Sequence, residues 1–259
     1  MALRICTYNC CSLKKNIDVV RNLANDKYDL IFLQETMLPE NRIGDLAFID
    51  DNYEVVGIPA VYSEKALESC AGRCEGGVAC MWYREANFQI DKIILRKQFL
   101  IMSILCDGVL IVIVNVYIKS DLWKIGTLNE YLDCLSELES ILMEIRFNSI
   151  YFIGDFNADP FSGRSWNHVT SFMERNELVC YDVDCLDNST FTFLSYGNSY
   201  AKWLDHLIGK NCDKTRVSDI RVLNELFGSD HFPLEFVLAV EGDSHPINKV
   251  KVMNNTYVG

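Results

Sequence analysis

Residues 149–157 read SIYFIGDFN, a run of apolar residues that ends in polar ones. Its first half is an apolar run of the kind found in a β-strand that is buried on both faces. The run then ends in Asp155 and Asn157, at the point where a buried sheet brings its strand ends to the rim. The stretch therefore predicts a strand that carries polar groups to an accessible edge.

Other predicted strands also change from apolar to polar residues where they end. Asp and Asn are common at strand turns, so each residue alone has an ordinary structural explanation. Their recurrence at successive strand ends favours a functional site instead. The side chains concerned are Asn9, Glu35, Tyr117, Asp155, Asn157, Asp205, Asp230 and His231.

The remaining chain alternates short apolar strands with a few helices. Residues 99–118 are long and apolar enough to span a membrane. However, Asp107-Gly108 in their middle is a strong signal for a two-residue turn between two strands. Further strands are predicted over residues 3–9, 29–35, 53–57, 77–83, 88–95, 149–157, 179–184, 190–194, 203–209, 217–223 and 233–240, and helices over residues 16–26, 122–147 and 165–176.

Several of these strands are apolar along their whole length, which indicates sheets that are covered on both faces. The predicted fold class is therefore α/β (α+β), a four-layer αββα sandwich in which two packed β-sheets are flanked by helices. Residues 1–240 are predicted to form one domain. Residues 241–259 are rich in polar residues and glycine, and we interpret them as a linker or flexible tail.

The composition limits the cellular setting and the partners. The 11 cysteines do not match a disulfide framework, because several lie in apolar runs. The N-terminus reads as a strand and not as a secretory leader, so an intracellular protein is predicted. The net charge of −12 counts against a stand-alone DNA-binding domain, since contact with a polyanion normally draws on a basic surface.

The polar strand ends suit the hydrolysis of a phosphoester. That reaction requires neutralised phosphoryl oxygens, an activated water and a stabilised leaving oxygen. Glu35 is a natural ligand for magnesium, which prefers hard oxygen donors. Asp155 is suited to orient or deprotonate water, and Asp205 is suited to orient His231.

The ordered motifs resemble those of the endonuclease/exonuclease/phosphatase superfamily, whose fold is DNase I-like. Lys202-Trp203-Leu204-Asp205-His206 and the following Ser-Asp-His-Phe-Pro segment are similar to the pattern of LINE-type (non-LTR) retrotransposon endonucleases. The motifs that carry the superfamily resemblance are Thr7-Tyr8-Asn9, Leu33-Gln34-Glu35, Asn115-Val116-Tyr117, Gly154-Asp155-Phe156-Asn157, Leu204-Asp205-His206 and Ser229-Asp230-His231-Phe232-Pro233.

The resemblance implies a role for each of these polar residues. Glu35 binds the metal together with Asn9 and Asp230, and Mn²⁺ is an alternative to Mg²⁺. Asn157 and Tyr117 contact the scissile phosphate, Asp155 positions the water, and Asp205 holds His231 at the phosphate. Thr192 and Ser229 contact substrate or brace the site.

The segment between Thr192 and Asp205 is implied to contact DNA near the cut. Tyr196 and Tyr200 are expected to stack on bases, and Lys202 is expected to contact a phosphate. An ordinary polar turn is the alternative interpretation. Lys119 stands where the family often has proline, and either a solvated loop charge or a phosphate contact explains it.

The predicted function is a magnesium-dependent endonuclease that nicks one DNA strand to prime target-site reverse transcription of a retrotransposon. The implied partners are DNA and a C-terminal reverse transcriptase domain, with no membrane partner. A monomer that acts in the nucleus is expected. The alternatives are an abasic-site nuclease, an RNA 3′-exonuclease, a phosphoinositide or sphingolipid phosphoesterase, and a binding module without catalysis.

Overall fold

Two six-stranded sheets form the centre of the protein. The computed structural model describes residues 1–62, 74–119, 127–197, 199–226 and 228–240, and strands are numbered along the chain. The first sheet contains, from edge to edge, β15 (Val217–Val222), β16 (Leu234–Ala239), β1 (Ala2–Asn9), β2 (Leu30–Gln34), β6 (Val78–Tyr83) and β3 (Tyr53–Ile58). The second contains β11 (Leu178–Cys180), β14 (Asp205–Lys210), β10 (Ser149–Asp155), β9 (Val109–Tyr117), β8 (Phe99–Cys106) and β7 (Gln89–Arg96).

Helices and two small hairpins lie around these sheets. The α-helices are α1 (Leu13–Asn25), α2 (Thr127–Glu144), α3 (Arg164–Arg175) and α4 (Tyr181–Cys185), and 3₁₀ turns cover Glu40–Phe48 and Asn211–Arg216. Strand β4 (Val61–Tyr62) pairs with β5 (Cys74–Glu75), and β12 (Phe193–Leu194) pairs with β13 (Ala201–Lys202).

The two-residue period of a strand explains why the central strands are apolar throughout. In β9, Ile111 and Ile113 pack into the layer between the two sheets. The alternate residues Val112, Val114 and Val116 pack beneath α2 and α3. A third apolar cluster joins α1 to the outer face of the first sheet. The layers are therefore helix, sheet, sheet and helix, and the predicted αββα sandwich is confirmed.

The long apolar stretch is the hairpin that its central dipeptide predicts. Strands β8 and β9 pair along their length, from Phe99 with Val116 to Cys106 with Val109. Asp107 and Gly108 between them have φ values of 49° and 78°, as a type I′ turn requires. Among the described residues, no helix is both long and apolar enough to cross a membrane.

Four predicted elements were wrong in type or extent. Residues 179–184 are not one strand, because the chain leaves β11 after Cys180 and turns into α4, where buried Asp182 accepts a hydrogen bond from Leu207 N. Helix α1 begins at Leu13, three residues before its predicted start at residue 16. Of the predicted strand 190–194, only Phe193–Leu194 pairs. The predicted helix 122–147 is Thr127–Glu144, and residues 122–126 lie outside the described part of the chain.

At Gly154 the packing of the two sheets leaves no room for a side chain. Its φ of +123° is rarely adopted by other residues, and an added Cβ would collide with the Val116 carbonyl and lie 3.0 Å from Gln34 Nε2. Replacement of Gly154 should therefore separate strands β9 and β10 or displace Gln34.

We expect Gly154→Ala to lower the free energy of unfolding by about 3 kcal/mol or more, from overpacking and backbone strain. Urea denaturation measures this change. Gly44→Ala is the matched control, because nothing lies within 4 Å of an added Cβ there. Equal stability of the two variants would contradict the close approach at Gly154.

Candidate active site

The layer between the sheets changes from apolar to polar at one end of its strands. Gln34, the last residue of β2, donates from Nε2 to Thr7 Oγ1 at 2.8 Å and to Asn115 Oδ1 at 2.6 Å. Asn115 in turn donates to the carbonyl oxygens of Leu33 and Ala79. These bonds connect the first sheet to the second and form the floor beneath the polar strand ends.

Asn9 brings two carboxylates from different sheets together. Its amide nitrogen lies 2.9 Å from Asp155 Oδ2 and 3.4 Å from Glu35 Oε1. Tyr117 donates its hydroxyl to the same Glu35 oxygen at 2.9 Å. Burial raises the pKa of Tyr117 well above its ordinary value, and Glu35 raises it further. Tyr117 therefore stays neutral and acts as a donor.

Asn157 holds the other side of Asp155. Its backbone nitrogen donates to Asp155 Oδ1 at 2.9 Å, and its amide lies 3.0 Å from both Asp155 Oδ2 and the Ile118 carbonyl oxygen. Asn157 and Glu35 have φ values of 50° and 49°, in the left-handed region that residues with a Cβ seldom adopt. Strained backbone of this kind concentrates at functional sites.

His231 faces this cluster from the loop before β16. Its Nδ1 lies 2.7 Å from Asp205 Oδ2, and its Nε2 lies 4.0 Å from Asp155 Oδ2. Thr192 accepts hydrogen bonds from the backbone nitrogens of Leu204 and Asp205 at 2.9 and 3.0 Å. Thr192 is fully buried, so it braces Asp205 and does not contact substrate.

The electrostatics of the cluster favour a carboxylate of high proton affinity beside a charged imidazole. Burial, opposed by His231 and reinforced by Asp205 and Glu35, raises the pKa of Asp155 to about 7. Burial lowers the pKa of His231, but Asp205 and Asp155 outweigh that effect and raise it to about 10. A raised pKa favours the protonated imidazole at neutral pH, which donates from Nδ1 to Asp205 and carries a second proton on Nε2.

Hydrogen bonds hold the loop that carries His231 at both Ser229 and His231. The Tyr8 hydroxyl accepts a hydrogen bond from Ser229 N at 3.1 Å, and Ser229 Oγ donates to Asp230 Oδ1 and accepts from His231 N. His231 also forms a β-bridge with Phe193, and Leu194 N donates to the Asp230 carbonyl. The base of the β12–β13 hairpin is thus bonded directly to this loop.

A second buried histidine lies behind the cluster and was not among the predicted site residues. His206 places Nδ1 2.8 Å from Asp182 Oδ2 and Nε2 2.7 Å from the Ala158 carbonyl. Burial lowers the pKa of His206, but Asp182, the Ala158 carbonyl and Asp205 together outweigh it, so the net shift is upward. The pair supports the chain on both sides of the site, because Ala158 follows Asn157 and His206 follows Asp205.

A cavity of about 680 Å³ opens over the polar cluster. Among the predicted residues, those that line it are Glu35, Tyr117, Asp155, Asn157, Tyr200, Lys202, Asp230 and His231. Asn9, Asp205, Thr192 and Ser229 are not part of the lining and support the residues that are. Tyr196 is also outside the lining and is 76% exposed on the β12–β13 hairpin.

Lys119 also lines the cavity. Its Nζ is 2.6 Å from Glu75 Oε2, and both side chains are about half exposed. Lys119 is therefore neither a purely solvated charge nor an unpaired one. An ion pair at this exposure contributes little to stability, so an incoming anion can compete for the lysine.

The cavity has the donor set of a site for a hard divalent cation. Glu35, Asp155 and Asp230 present carboxylates to it, and such oxygens are the ligands that Mg²⁺ and Mn²⁺ accept. Asn9 Oδ1 accepts a hydrogen bond from Cys11 N at 3.1 Å, and its predicted role as a metal ligand stays a prediction. Asp155, Asp205 and His231 also each place one possible ligand atom within 4.8 Å of the others.

The fold and this site together define a metal-dependent phosphoester hydrolase. The chain matches the Endonuclease/Exonuclease/phosphatase family over residues 6–231, and it belongs to that family. A comparison with curated protein sequences gave no match.

Solved structures with the same fold include several nucleic-acid enzymes. The AP endonuclease LMAP from Leishmania major is 16% identical, with a TM-score of 0.71 over 93% of this chain and 88% of that chain. The 3′ phosphatase NExo from Neisseria, solved with a product DNA hairpin, is 16% identical, with a TM-score of 0.69 over 92% and 100%. The endonuclease domain of TRAS1, a telomere-specific non-LTR retrotransposon, is 14% identical, with a TM-score of 0.65 over 92% and 99%. At identities this low, the structural similarity shows that the fold is shared and nothing more.

We expect Asp205→Asn to lower the pKa of His231 from about 10 toward its ordinary value of 6.5, because the charge that stabilises the imidazolium is removed. NMR titration of the histidine rings in EDTA measures this pKa, with His231→Gln to assign the signal. Asp219→Asn, at an exposed residue, is the control. If the pKa of His231 is the same in Asp205→Asn as in the parent protein, Asp205 does not determine the charge of the imidazole.

Proposed function

We propose that this chain is a magnesium-dependent endonuclease that nicks one strand of DNA, and that the nick primes target-site reverse transcription of a non-LTR retrotransposon. The observation that carries the proposal is the arrangement of Asp155, Asp205 and His231 at the bottom of an open cavity. The cavity is bordered by a hairpin with exposed tyrosines and Lys202.

The residues of the cluster divide the work of phosphodiester hydrolysis. Asp155 takes up or orients the proton of the attacking water, and its raised pKa suits this role near neutral pH. Asn157 uses its amide to hold Asp155 in place. His231, fixed through Nδ1 by Asp205, presents the proton on Nε2 to a phosphoryl oxygen or to the leaving oxygen.

Glu35 and Asp230 would hold the metal ion at the cavity. When bound, the ion supplies positive charge that stabilises the phosphoryl oxygens. Tyr117 keeps Glu35 in position through a 2.9 Å hydrogen bond to Oε1. Asn9 separates Glu35 from Asp155 and moderates their mutual repulsion.

The β12–β13 hairpin is the proposed contact with bases next to the cut. Tyr200 is 54% exposed and lies with its ring 5.9 Å from Phe193, which in turn packs against His231 at 5.1 Å. Lys202 Nζ lies 5.8 Å from the Tyr200 ring centroid. An aromatic column therefore runs from the imidazole to the hairpin surface, next to a cation that suits a phosphate.

The net charge of −12 limits how tightly the chain by itself can hold DNA. The proposal therefore includes a reverse transcriptase domain C-terminal to residues 241–259, which supplies further affinity, and action in the nucleus as a monomeric nuclease unit.

We expect the protein to convert supercoiled plasmid to open circles with Mg²⁺ and to do nothing in EDTA. Glu35→Gln should abolish nicking, and His231→Ala should slow it by at least about 100-fold, the usual contribution of a proton donor. Glu174→Gln, at an exposed residue on α3, should nick like the parent protein. Equal nicking by parent and His231→Ala would remove the assigned mechanism.

The hairpin has its own test. Tyr200→Ala should raise the KM for plasmid nicking roughly fivefold or more, because stacking on a base contributes about 1–3 kcal/mol. Phe48→Ala is the control, since Phe48 is 79% exposed outside the cavity. If both variants nick like the parent protein, the hairpin is an ordinary turn.

The acidic charge favours one alternative, a phosphoesterase of the same fold that acts on a smaller substrate. Abasic DNA, RNA 3′ ends, DNA 3′ phosphates, phosphoinositides and sphingomyelin are the substrates to compare with intact plasmid. Turnover of one of these without plasmid nicking would favour the alternative over the retrotransposon endonuclease.

A further inference from the structure

Helix α3 begins at the cavity wall, and its first turn is unusually open to an anion. Ser162, Gly163, Arg164 and Ser165 all line the cavity. No side chain caps the helix, and its first turn contains no acidic residue. The first backbone N–H groups of a helix have no partner within the helix, and with the helix dipole they attract negative charge.

Ser165 is a second and independent sign of a ligand. Its side chain is only 9% exposed, yet it lines the cavity. Its hydroxyl makes no hydrogen bond with any residue in the described part of the chain. Ser165 is therefore packed on its other sides, and its hydroxyl is left to donate to a group that enters the cavity.

The charges next to the helix start also suit an anion. Arg164 lines the cavity and forms no ion pair with a described carboxylate. The nearby Asp159 is already engaged, because it accepts hydrogen bonds from Phe161 N at 3.1 Å and from Ser162 Oγ at 2.7 Å. Asp159 therefore shapes the turn that leads into α3, and its negative charge is partly compensated.

We propose that the start of α3, with Ser165 and Arg164, binds a second phosphate of the DNA strand that is cut. This inference rests on the proposed endonuclease function. The site shares one cavity with Asp155 and His231, so a strand whose scissile phosphate lies at His231 can place a neighbouring phosphate at α3. The second contact fixes the register of the strand and so decides which bond is cut.

Two changes at Ser165 test the site. Ser165→Ala removes the hydroxyl and should raise the KM for nicking about tenfold with a smaller effect on kcat, as expected for a hydrogen bond to a charged group. Ser165→Asp places a carboxylate in the first turn, which favours the helix but occupies the anion site. It should raise KM further without lowering the melting temperature. Ser171→Ala, on the exposed side of the same helix, is the matched control.

Oligonucleotides with a single neutral methylphosphonate locate the contact. The parent protein should lose affinity when one particular linkage beside the cut is neutralised, and Ser165→Ala should lose less at that linkage, because only Arg164 and the start of α3 then contact the phosphate. Hydrolysis of bis(p-nitrophenyl) phosphate, which has one phosphoryl group, should be the same in the parent protein and in Ser165→Ala.

The outcomes separate the two proposals. A parent protein that hydrolyses the small diester but nicks no DNA overturns the proposed function. A parent protein that nicks DNA, with Ser165→Ala and Ser165→Asp indistinguishable from Ser171→Ala in KM and in methylphosphonate sensitivity, overturns the second phosphate site alone.

Discussion

The hydrogen bond between Gln34 and Asn115 is the constraint on which the rest of the site depends. It spans the two sheets at 2.6 Å, in a layer that is otherwise apolar. A buried amide pair is costly unless it is bonded, and in a low-dielectric layer a bonded pair is strong and directional. It therefore sets the relative position of the two sheets at their polar ends. Gly154 leaves the space through which Gln34 reaches its partner.

The chemistry follows from that alignment. Glu35 follows β2 of the first sheet, and Asp155 ends β10 of the second. Both carboxylates accept hydrogen bonds from the amide nitrogen of Asn9. A small slip of one sheet against the other would separate these oxygens and remove His231 from Asp155. The left-handed backbone at Glu35 and Asn157 is the local strain that the packed sheets maintain.

Much of the fold could be predicted from local pattern, and so could the residues at the strand ends. Period-two and continuous apolar runs identify strands, and the polar residue that ends each run identifies the rim of a sheet. Tyr8 could not be found this way, because its hydroxyl acts on Ser229, which is 221 positions away. Asp182 lies in a segment with the composition of a strand, and its bonds to Leu207 N and to distant His206 accompany the turn into α4. The placing of Ser165 at the cavity also depends on tertiary packing.

The bonds between the His231 loop and the base of the β12–β13 hairpin have a consequence for divergence. Phe193 and Leu194 are joined to His231 and Asp230 by backbone pairing, so they cannot change course without moving His231. The residues around Gly197 at the tip lie beyond those bonds. The tip can therefore change in sequence or length without displacing His231, whereas the base cannot.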